Sequence, residues 1–484
     1  MDRFAHVSAL RPVKAPRRAA SELPLEADRL GELLGAVAQR NRYGEHLVVR
    51  QWHTEPEACE VNPDVLRLLA PDAPEEAADP ERWLFLDTET TGLAGGTGTY
   101  AFLVGVAWWD AGGLQVEQFF MRDHSEEHSL LLALAERMAE RRVLVTFNGK
   151  SFDWPLLETR YRMTRQIRAR TPHAHLDLLH PARQLWRLRL ESLRLSELER
   201  HILADGKRLA WDRNSDIPSH LIPQIYFDYL RGGAAEPVAA VFRHNAMDLR
   251  GLAALAGKML ALVDSACHSE RDDACAIGDA LELYGISRLL YGRGEHTRAR
   301  QLYERALGAG LSGAVSRAAR RELAQLAKRE RDYPRAIELW QELTGAVGAS
   351  CSSPAEAVAG DAETHEALGG WAFRPDNQGA KRSGALAPEA INLSGAEARA
   401  WKPRSVSELK LRPPKEDTIV SRDALDAFEE LAIYYEHHAR EPERAAELTR
   451  EALGELRRAV LTGDLDPRRY QRLKARLDHR LARL

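Results

Sequence analysis

The sequence predicts an α/β domain, a mixed sheet flanked by helices, followed by an all-α domain. From Trp83 the chain alternates short apolar, β-rich runs with glycine-containing turns, and an amphipathic helix then leads into a further strand, VLVTFN. From Leu281 onward only helical patterns occur. The 484 residues also exceed the ~250–300 residues that one hydrophobic core usually supports. We therefore expect more than one domain.

The order of the early strands predicts how the sheet is connected. WLFLD, YAFLVGVAWW and LQVEQFFM are separated by glycines at 92–98 and 112–113, which predicts an antiparallel meander. A helix at about 125–141 lets VLVTFN return parallel to the first strand by a crossover. Further helices are predicted at about 154–163, 181–188, 192–201, 223–231 and 236–263. The α/β domain is thus expected over residues 81–264.

The regions before and after the α/β domain differ from it in composition. Residues 1–80 predict a partly disordered N-terminal arm and linker, with one helix at 21–39, a strand-like run at 46–49 and the acidic passage PDAPEEAADPER. Residues 278–484 predict the helical domain. Within it, a stretch at about 345–422, rich in Gly, Ala, Ser and Pro, is expected to be a mostly disordered insertion.

An internal repeat marks the helical domain. Ala299-Arg-Gln-Leu-Tyr303 recurs as Ala336-Ile-Glu-Leu-Trp340 and as Ala445-Ala-Glu-Leu-Thr449. The first two copies are separated by close to the tetratricopeptide period of about 34 residues, at which helix pairs stack to bury their apolar faces. This similarity to tetratricopeptide repeats predicts a protein-binding module, with 468–484 as a basic amphipathic capping helix.

Composition excludes several classes of protein. A hydrophobic share of 44% and a charged share of 29% are typical of soluble globular proteins, and no apolar run reaches the ~20 residues of a membrane span. The first residues also lack the apolar stretch of a secretory signal, so a cytoplasmic protein is expected.

The four cysteines have no Cys-x-x-Cys spacing, which argues against a zinc ribbon or a disulfide framework. The net charge of −4 gives no overall attraction to nucleic acid, although a local basic groove remains compatible with it.

The strongest local signal is Asp87-Thr-Glu89-Thr-Thr-Gly-Leu93. Side chains alternate along a strand, so Asp87 and Glu89 share one face and can present two carboxylates to one cation. Hard divalent cations such as Mg²⁺ and Mn²⁺ favour oxygen ligands. The alternative is an exposed acidic strand end before a turn. The wholly apolar WLFL that precedes Asp87 favours the metal site, because uncompensated charge beside a buried strand is costly.

Two further acidic positions have simple alternatives. Asp153 follows VLVTFN at the start of a helix, where Ser151 as N-cap and the helix dipole would also explain it. Gly149-Lys-Ser151 resembles a phosphate-binding loop, but that motif needs a glycine where Leu144 stands. His244 and Asp248 are four residues apart on one helix face. A surface His-Asp pair is the alternative there.

In combination these three elements resemble the DnaQ-like (DEDD) 3′-5′ exonuclease superfamily, and most closely its YprB-like group of RNase H-fold proteins. The resemblance spans about 83–263, including segments 177–183, 216–218 and 222–223. It implies that two Mg²⁺ or Mn²⁺ ions are bound by Asp87, Glu89, Asp153 and Asp248, with His244 as the general base. One departure is the His-x(3)-Asp spacing of His244 and Asp248, because superfamily members that use histidine usually have His-x(4)-Asp.

Substrate contacts are predicted at Thr88, Asn148 and Lys150. The arginines at 160, 162, 165, 168 and 170 are candidates for phosphate contacts, with a solvated helix face as an equal alternative. The glycines at 92–98 have two explanations. They could let a terminal nucleotide approach the backbone closely, or they could simply form a hairpin turn. Trp108 and Trp109 are expected to pack within their strand.

Three functions follow in order of preference. The first is a metal-dependent 3′-5′ exonuclease on a single-stranded end of DNA or RNA. The second is a tetratricopeptide adaptor whose nuclease-like domain binds nucleic acid without cleaving it. The third is an RNase H-type endonuclease. Retention of four clustered acids favours an enzyme over the adaptor, and the final His-Asp helix disfavours the third.

Overall fold

The computed structural model describes residues 23–92, 97–168, 171–204, 211, 213, 215–268, 279–345, 416–463 and 465–484. Residues 1–22 of the predicted N-terminal arm (1–80) and residues 346–415 of the predicted insertion (about 345–422) lie outside the described residues. The chain divides into two compact units, Met1–Leu339 and Trp340–Leu484.

Seven strands form one mixed sheet in the order β1-β2-β5-β4-β3-β6-β7. The pairs β3–β4 and β4–β5 are antiparallel, whereas β6 is parallel to β3 and β7 is parallel to β6. The predicted meander and crossover are therefore confirmed. The strands are β1 (Val37–Asn41), β2 (Gly44–His53), β3 (Trp83–Thr90), β4 (Ala101–Asp110), β5 (Gly113–Phe120), β6 (Val143–Thr146) and β7 (Ala174–Asp177).

The centre of the sheet is apolar on both faces. β4 is buried at every position except its last, and the first four residues of β3 are buried as well. Continuous apolar runs of this kind are typical of strands covered by helices on both sides. The second half of β3, which carries Asp87 and Glu89, is only half-buried. Polar groups thus emerge at the carboxyl end of a central strand.

The prediction for residues 1–80 differs from the structure. The first helix ends at Leu34 and is followed by the β1–β2 hairpin, which turns at Gly44 with φ of +124°. β2 pairs with β5 from Leu47↔Phe120 to His53↔Leu114, and its apolar residues 47–49 are buried. This region extends the sheet because the consecutive apolar residues of β2 cover the free edge of β5.

Helices cover the sheet, and the 33-residue α8 packs against β3, β4 and β5. The predicted helices at 154–163, 181–188, 223–231 and 236–263 are all present, with shifted ends. The helices of this region are α1 (Leu23–Leu34), α2 (Pro63–Leu69), α3 (Glu127–Glu140), α4 (Asp153–Thr164), α5 (Leu179–Trp186), α6 (Leu195–Leu198), α7 (Ile222–Leu230) and α8 (Glu236–His268).

The rest of the described chain is all-helical, as predicted. Residues at the repeated positions, among them Ala299, Ala336 and Ala445, are buried, so the repeat marks the inward face of its helices. No helix among the described residues is long and apolar enough to cross a membrane. These helices are α9 (Ala280–Gly292), α10 (His296–Gly308), α11 (Gly313–Arg329), α12 (Tyr333–Thr344), α13 (Glu416–Tyr434), α14 (Pro442–Leu461) and α15 (Pro467–Arg483).

The first helix of this region packs on the α/β domain. Trp186 Nε1 at the end of α5 donates to Glu282 Oε1 of α9 at 2.9 Å, and Arg189 pairs with Asp279 at 3.0 Å. At Gly285 an added Cβ would lie 2.5 Å from the Leu185 carbonyl oxygen. The helices therefore approach so closely that only glycine fits at residue 285.

A second close approach joins α8 to β4. A Cβ added to Gly105 would lie 2.0 Å from Asn245 Oδ1 and 2.8 Å from a methyl carbon of Leu249. Asn245 is fully buried. Gly105 thus determines how near α8 lies to the sheet.

Replacing Gly105 with alanine should destabilise the domain by about 1–3 kcal/mol, the usual cost of overpacking. Chemical denaturation followed by tryptophan fluorescence measures this change. Gly292→Ala is the matched control, because nothing lies within 4 Å of its added Cβ. An equal effect of the two substitutions would contradict the steric account.

Candidate active site

Asp87 and Glu89 lie on the same face of β3, opposite Gly105 and Leu103 of β4. The register shifts after Glu89, between Glu89 and Thr90, so the strand is irregular where its polar half begins. Asp87 Oδ2 accepts a hydrogen bond from Asn245 Nδ2 at 2.7 Å. The acidic face of β3 therefore points towards α8, as the alternation of the motif predicted.

Asn245 is a site residue that the sequence reasoning missed. Its Oδ1 accepts from Gln118 Nε2 at 2.8 Å, and the same Gln118 nitrogen donates to the Phe242 carbonyl at 2.8 Å. With its oxygen occupied in this way, the amide nitrogen of Asn245 faces Asp87. A polar residue on the apolar face of a long helix is the signal that could have indicated it.

Asp153 is brought to the same strand by Thr88. The Thr88 hydroxyl donates to Asp153 Oδ1 at 2.5 Å. Asp153 is the first residue of α4, and Phe152 occupies the N-cap position without a side-chain hydrogen bond. The alternative of a helix capped by Ser151 is therefore wrong, and Asp153 is instead held by β3.

Asp177, at the end of β7, shapes the loop that precedes Asp153. Its Oδ1 accepts from the backbone N–H groups of Asn148 at 2.8 Å and Leu179 at 3.1 Å, and its Oδ2 from that of Lys150 at 3.0 Å. Asn148 has a φ of +68°, a left-handed conformation that asparagine tolerates. The Lys150 side chain is exposed. Asn148 thus contributes to the site through its backbone geometry.

On α8, His244 lies between two acids. Its Nδ1 is 2.8 Å from Asp216 Oδ1, and its Nε2 is 3.6 Å from Asp248 Oδ2 and 3.4 Å from Ser219 Oγ. Burial lowers the pKa of His244, but the hydrogen bond to Asp216 and the charges of Asp248 and Asp216 outweigh it and raise the pKa overall. Asp216 therefore orients the ring so that Nε2 faces Asp248.

One arginine joins these acids to a buried glutamate. Arg213 pairs with Asp248, with Asp216 at 2.9 Å and with Glu199 at 2.6 Å. Glu199 also accepts from Trp211 Nε1 at 3.1 Å. Arg213 thus neutralises part of the negative charge around His244.

The β3 carboxylates Asp87 and Glu89 form no ion pair with any described arginine or lysine, although the charge of Arg213 acts on Asp87. Burial, with the charges of Asp248 and Asp153, raises the pKa of Asp87 well above its ordinary value. Burial and then Asp87, Asp248 and Asp153 do the same for Glu89. Among the described residues Glu89 has no hydrogen-bond or ion-pair partner. In their ionised form Asp87 and Glu89 therefore lack an ion-pair partner among the described residues.

The donor chemistry of this cluster fits a divalent cation, since it consists of hard carboxylate oxygens in excess of nearby positive charge. In the conformation described, however, no three His, Cys, Asp or Glu side chains of the described residues converge closely enough to hold a metal ion. Asp248 is engaged by Arg213 and Asp87 by Asn245.

The other residues that were candidates for substrate contact or packing differ in their exposure. Arg160 is buried and paired with Glu127, at 2.6 Å between its second nitrogen and Oε2, so its proposed contact with phosphate is wrong. Arg162 is exposed, as are residues 165 and 168, whereas residue 170 and glycines 95 and 96 lie outside the described residues. Trp109 packs edge-on against Phe85, which confirms the predicted packing role.

Comparison with known proteins identifies the α/β region. Residues 84–260 match the family model described as RNase_H superfamily. Residues 84–260 therefore form a domain similar to the RNase_H superfamily. This match and the seven-stranded sheet confirm the predicted RNase H-like fold class. The four carboxylates all lie within the matched RNase_H superfamily domain.

A relative extends the match beyond this domain. The chain is 30% identical over 268 residues to the uncharacterized protein YprB of Bacillus subtilis (strain 168). The aligned region covers 55% of this chain and 61% of the relative, so it spans less than two thirds of that relative's length. The finer assignment to DnaQ-like exonucleases stays a prediction.

Glu89→Gln tests the charge balance of the RNase_H superfamily domain. A carboxyl whose pKa is raised on folding stabilises the protein below its ordinary pKa, and this contribution is lost as the pH rises through the raised value. In metal-free buffer the variant should therefore gain stability relative to wild type between pH 5 and 8. Urea denaturation at each pH measures the difference, with exposed Glu60→Gln as control. A difference that does not change with pH would refute the charge account.

Proposed function

We propose that this protein is a divalent-metal-dependent nuclease that degrades DNA or RNA from the 3′ end. The observation that carries the proposal is the group of uncompensated carboxylates at the carboxyl end of β3, inside an RNase_H superfamily domain. Nucleases need such a cluster, because hydrolysis of a phosphodiester requires an activated water and a stabilised leaving oxygen.

Asp87, Glu89, Asp153 and Asp248 would hold two Mg²⁺ or Mn²⁺ ions. Bound ions of this kind activate water and stabilise the leaving alkoxide. The residues around them have separate tasks. Asn245 fixes the orientation of Asp87 by donating to its Oδ2, and Thr88 does the same for Asp153. Both hydrogen bonds limit the conformations that the carboxylates can adopt before an ion binds.

His244 would accept the proton of the attacking water at Nε2. Its other nitrogen is held by Asp216, an arrangement that fixes the ring as in other acid–base pairs. The charges of Asp248 and Arg213 determine the electrostatic potential at Nε2. Release of Asp248 from Arg213 would free an oxygen for metal binding.

Substrate recognition would use the exposed Lys150 beside Asp153, on the loop that Asp177 holds. A cationic side chain there would contact a phosphate of the strand end without reading its sequence. The C-terminal helices, if they form tetratricopeptide-like repeats, would add a protein partner or position the substrate.

A second candidate function is nucleic-acid binding without cleavage. It is favoured by one observation, the pairing of Asp248 with Arg213, which occupies a carboxylate that the nuclease needs. On this view the domain would serve as an adaptor together with the C-terminal helices.

Cleavage of 5′-labelled single-stranded and duplex DNA and RNA with Mg²⁺ or Mn²⁺ separates the two functions. Asp87→Asn and Asp248→Asn should each lower the rate at least about a hundredfold, since they remove proposed metal ligands. Exposed Asp110→Asn, at the end of β4, should leave the rate unchanged.

A ladder of products shortened from the 3′ end supports an exonuclease, and cleavage of circular single-stranded DNA would show an endonuclease. Binding of all substrates without any cleavage would favour the adaptor. Full activity of both site variants would refute the assigned residues.

A further inference from the structure

A cavity of about 260 Å³ lies between β2 and α8. On α8 it is lined by residues 240, 243, 246, 247 and 250, a different stripe of the helix from that of His244 and Asp248. The cavity is therefore separate from the carboxylate cluster, although Asp216 borders both. Its polar lining consists of Gln51, His53, Ser215, Asp216, Arg243 and Arg250.

The two arginines of this cavity form no ion pair of hydrogen-bonding length with a described residue, although the charges of Glu55 and Glu199 act on Arg250. Arg250 Nε is buried without a hydrogen-bond partner, and the guanidinium lies 4.8 Å from the centre of the Trp211 ring. Neither Arg250 nor the exposed Arg243 forms an ion pair with a described residue. A buried donor without a partner is unusual in folded proteins, and none of the described residues supplies an acceptor for Arg250 Nε.

The other polar groups of the cavity add no positive charge, and its one described acid is already paired. His53 Nε2 is also buried without a partner, and burial together with the charge of Arg250 lowers the pKa of His53 to about 4. At neutral pH His53 thus offers a hydrogen bond and no charge. Asp216 is the acid of the described lining, and its oxygens are already occupied by His244 at 2.8 Å and Arg213 at 2.9 Å.

We propose that this cavity binds a phosphate group through Arg243 and Arg250. Guanidinium groups present fixed forks of N–H donors that match phosphate oxygens, which explains why two unpaired arginines converge here. The volume is below the roughly 300–1,000 Å³ of pockets for drug-sized ligands and is sufficient for phosphate or pyrophosphate. The proposal does not depend on nuclease activity, because none of its residues belongs to the carboxylate cluster.

The phosphate has two possible sources with the same chemistry. One is a small free anion such as pyrophosphate, and the other is a phosphodiester of a nucleic-acid strand that runs past α8. In either case the ligand would lie beside Asp216, the residue that orients His244.

Isothermal titration of the full-length protein with pyrophosphate, without divalent cations, tests the site. Arg250→Met and Arg243→Met should each weaken pyrophosphate binding about tenfold, since each removes a charge-assisted interaction. Arg231→Met is the control, because its side chain is 69% exposed at the end of α7 and has no role in the proposed sites. Arg243 is exposed, so its variant keeps the test valid even if Arg250→Met fails to fold.

The proposal is overturned if pyrophosphate does not bind to the wild type at millimolar concentration, or if it binds equally to Arg243→Met. A titration with a short single-stranded oligonucleotide then distinguishes the sources. Displacement of pyrophosphate by the oligonucleotide, lost in Arg243→Met, identifies a strand phosphate. Simultaneous binding of both identifies a free anion.

Discussion

The buried amide of Asn245 is the contact on which the site depends. It links three elements, since it accepts from Gln118 on β5, donates to Asp87 on β3 and belongs to α8. It reaches the sheet only because Gly105 on β4 has no side chain. A neutral donor directed at a buried carboxylate is a favourable use of a buried polar group, because it satisfies both partners without adding charge. The positions of His244 and Asp248, on the same helix, follow from this docking.

Charge is distributed unevenly around that contact. Arg213 compensates Glu199, Asp216 and Asp248 on one side, whereas Asp87 and Glu89 have no cation among the described residues. Buried charges without partners are costly, so a protein retains them where a ligand supplies the opposite charge. On one side, therefore, an arginine of the protein neutralises part of the negative charge, whereas the carboxylates on the other side would need an external cation. On the neighbouring stripe of α8 the imbalance is reversed, because Arg243 and Arg250 form no ion pair with a residue that the structure describes.

Local sequence patterns indicated the part of this arrangement that depends on neighbouring residues. Alternation along a strand correctly put Asp87 and Glu89 on one face, and the glycine-separated apolar runs predicted the meander. Asn245, Asp177 and Arg213 act across long sequence separations, so periodicity could not reveal their partners. The strand-like run at 46–49 correctly indicated β2, whereas β1 and the pairing of β2 with β5 were missed because they depend on contacts between distant segments. Arg160 was misjudged because its partner, Glu127, lies on a different helix.

The central claim is that the carboxylates of β3, α4 and α8 form a divalent-cation site, and direct binding of Mn²⁺ to the metal-free protein tests it. Electron paramagnetic resonance of free Mn²⁺ during titration gives the number of bound ions and their affinity. The account predicts binding to the wild type that is lost in Asp87→Asn and weakened in Asn245→Ala, which leaves Asp87 without its orienting donor. Undetectable binding to the folded wild type, or equal binding to Asp87→Asn, would contradict it.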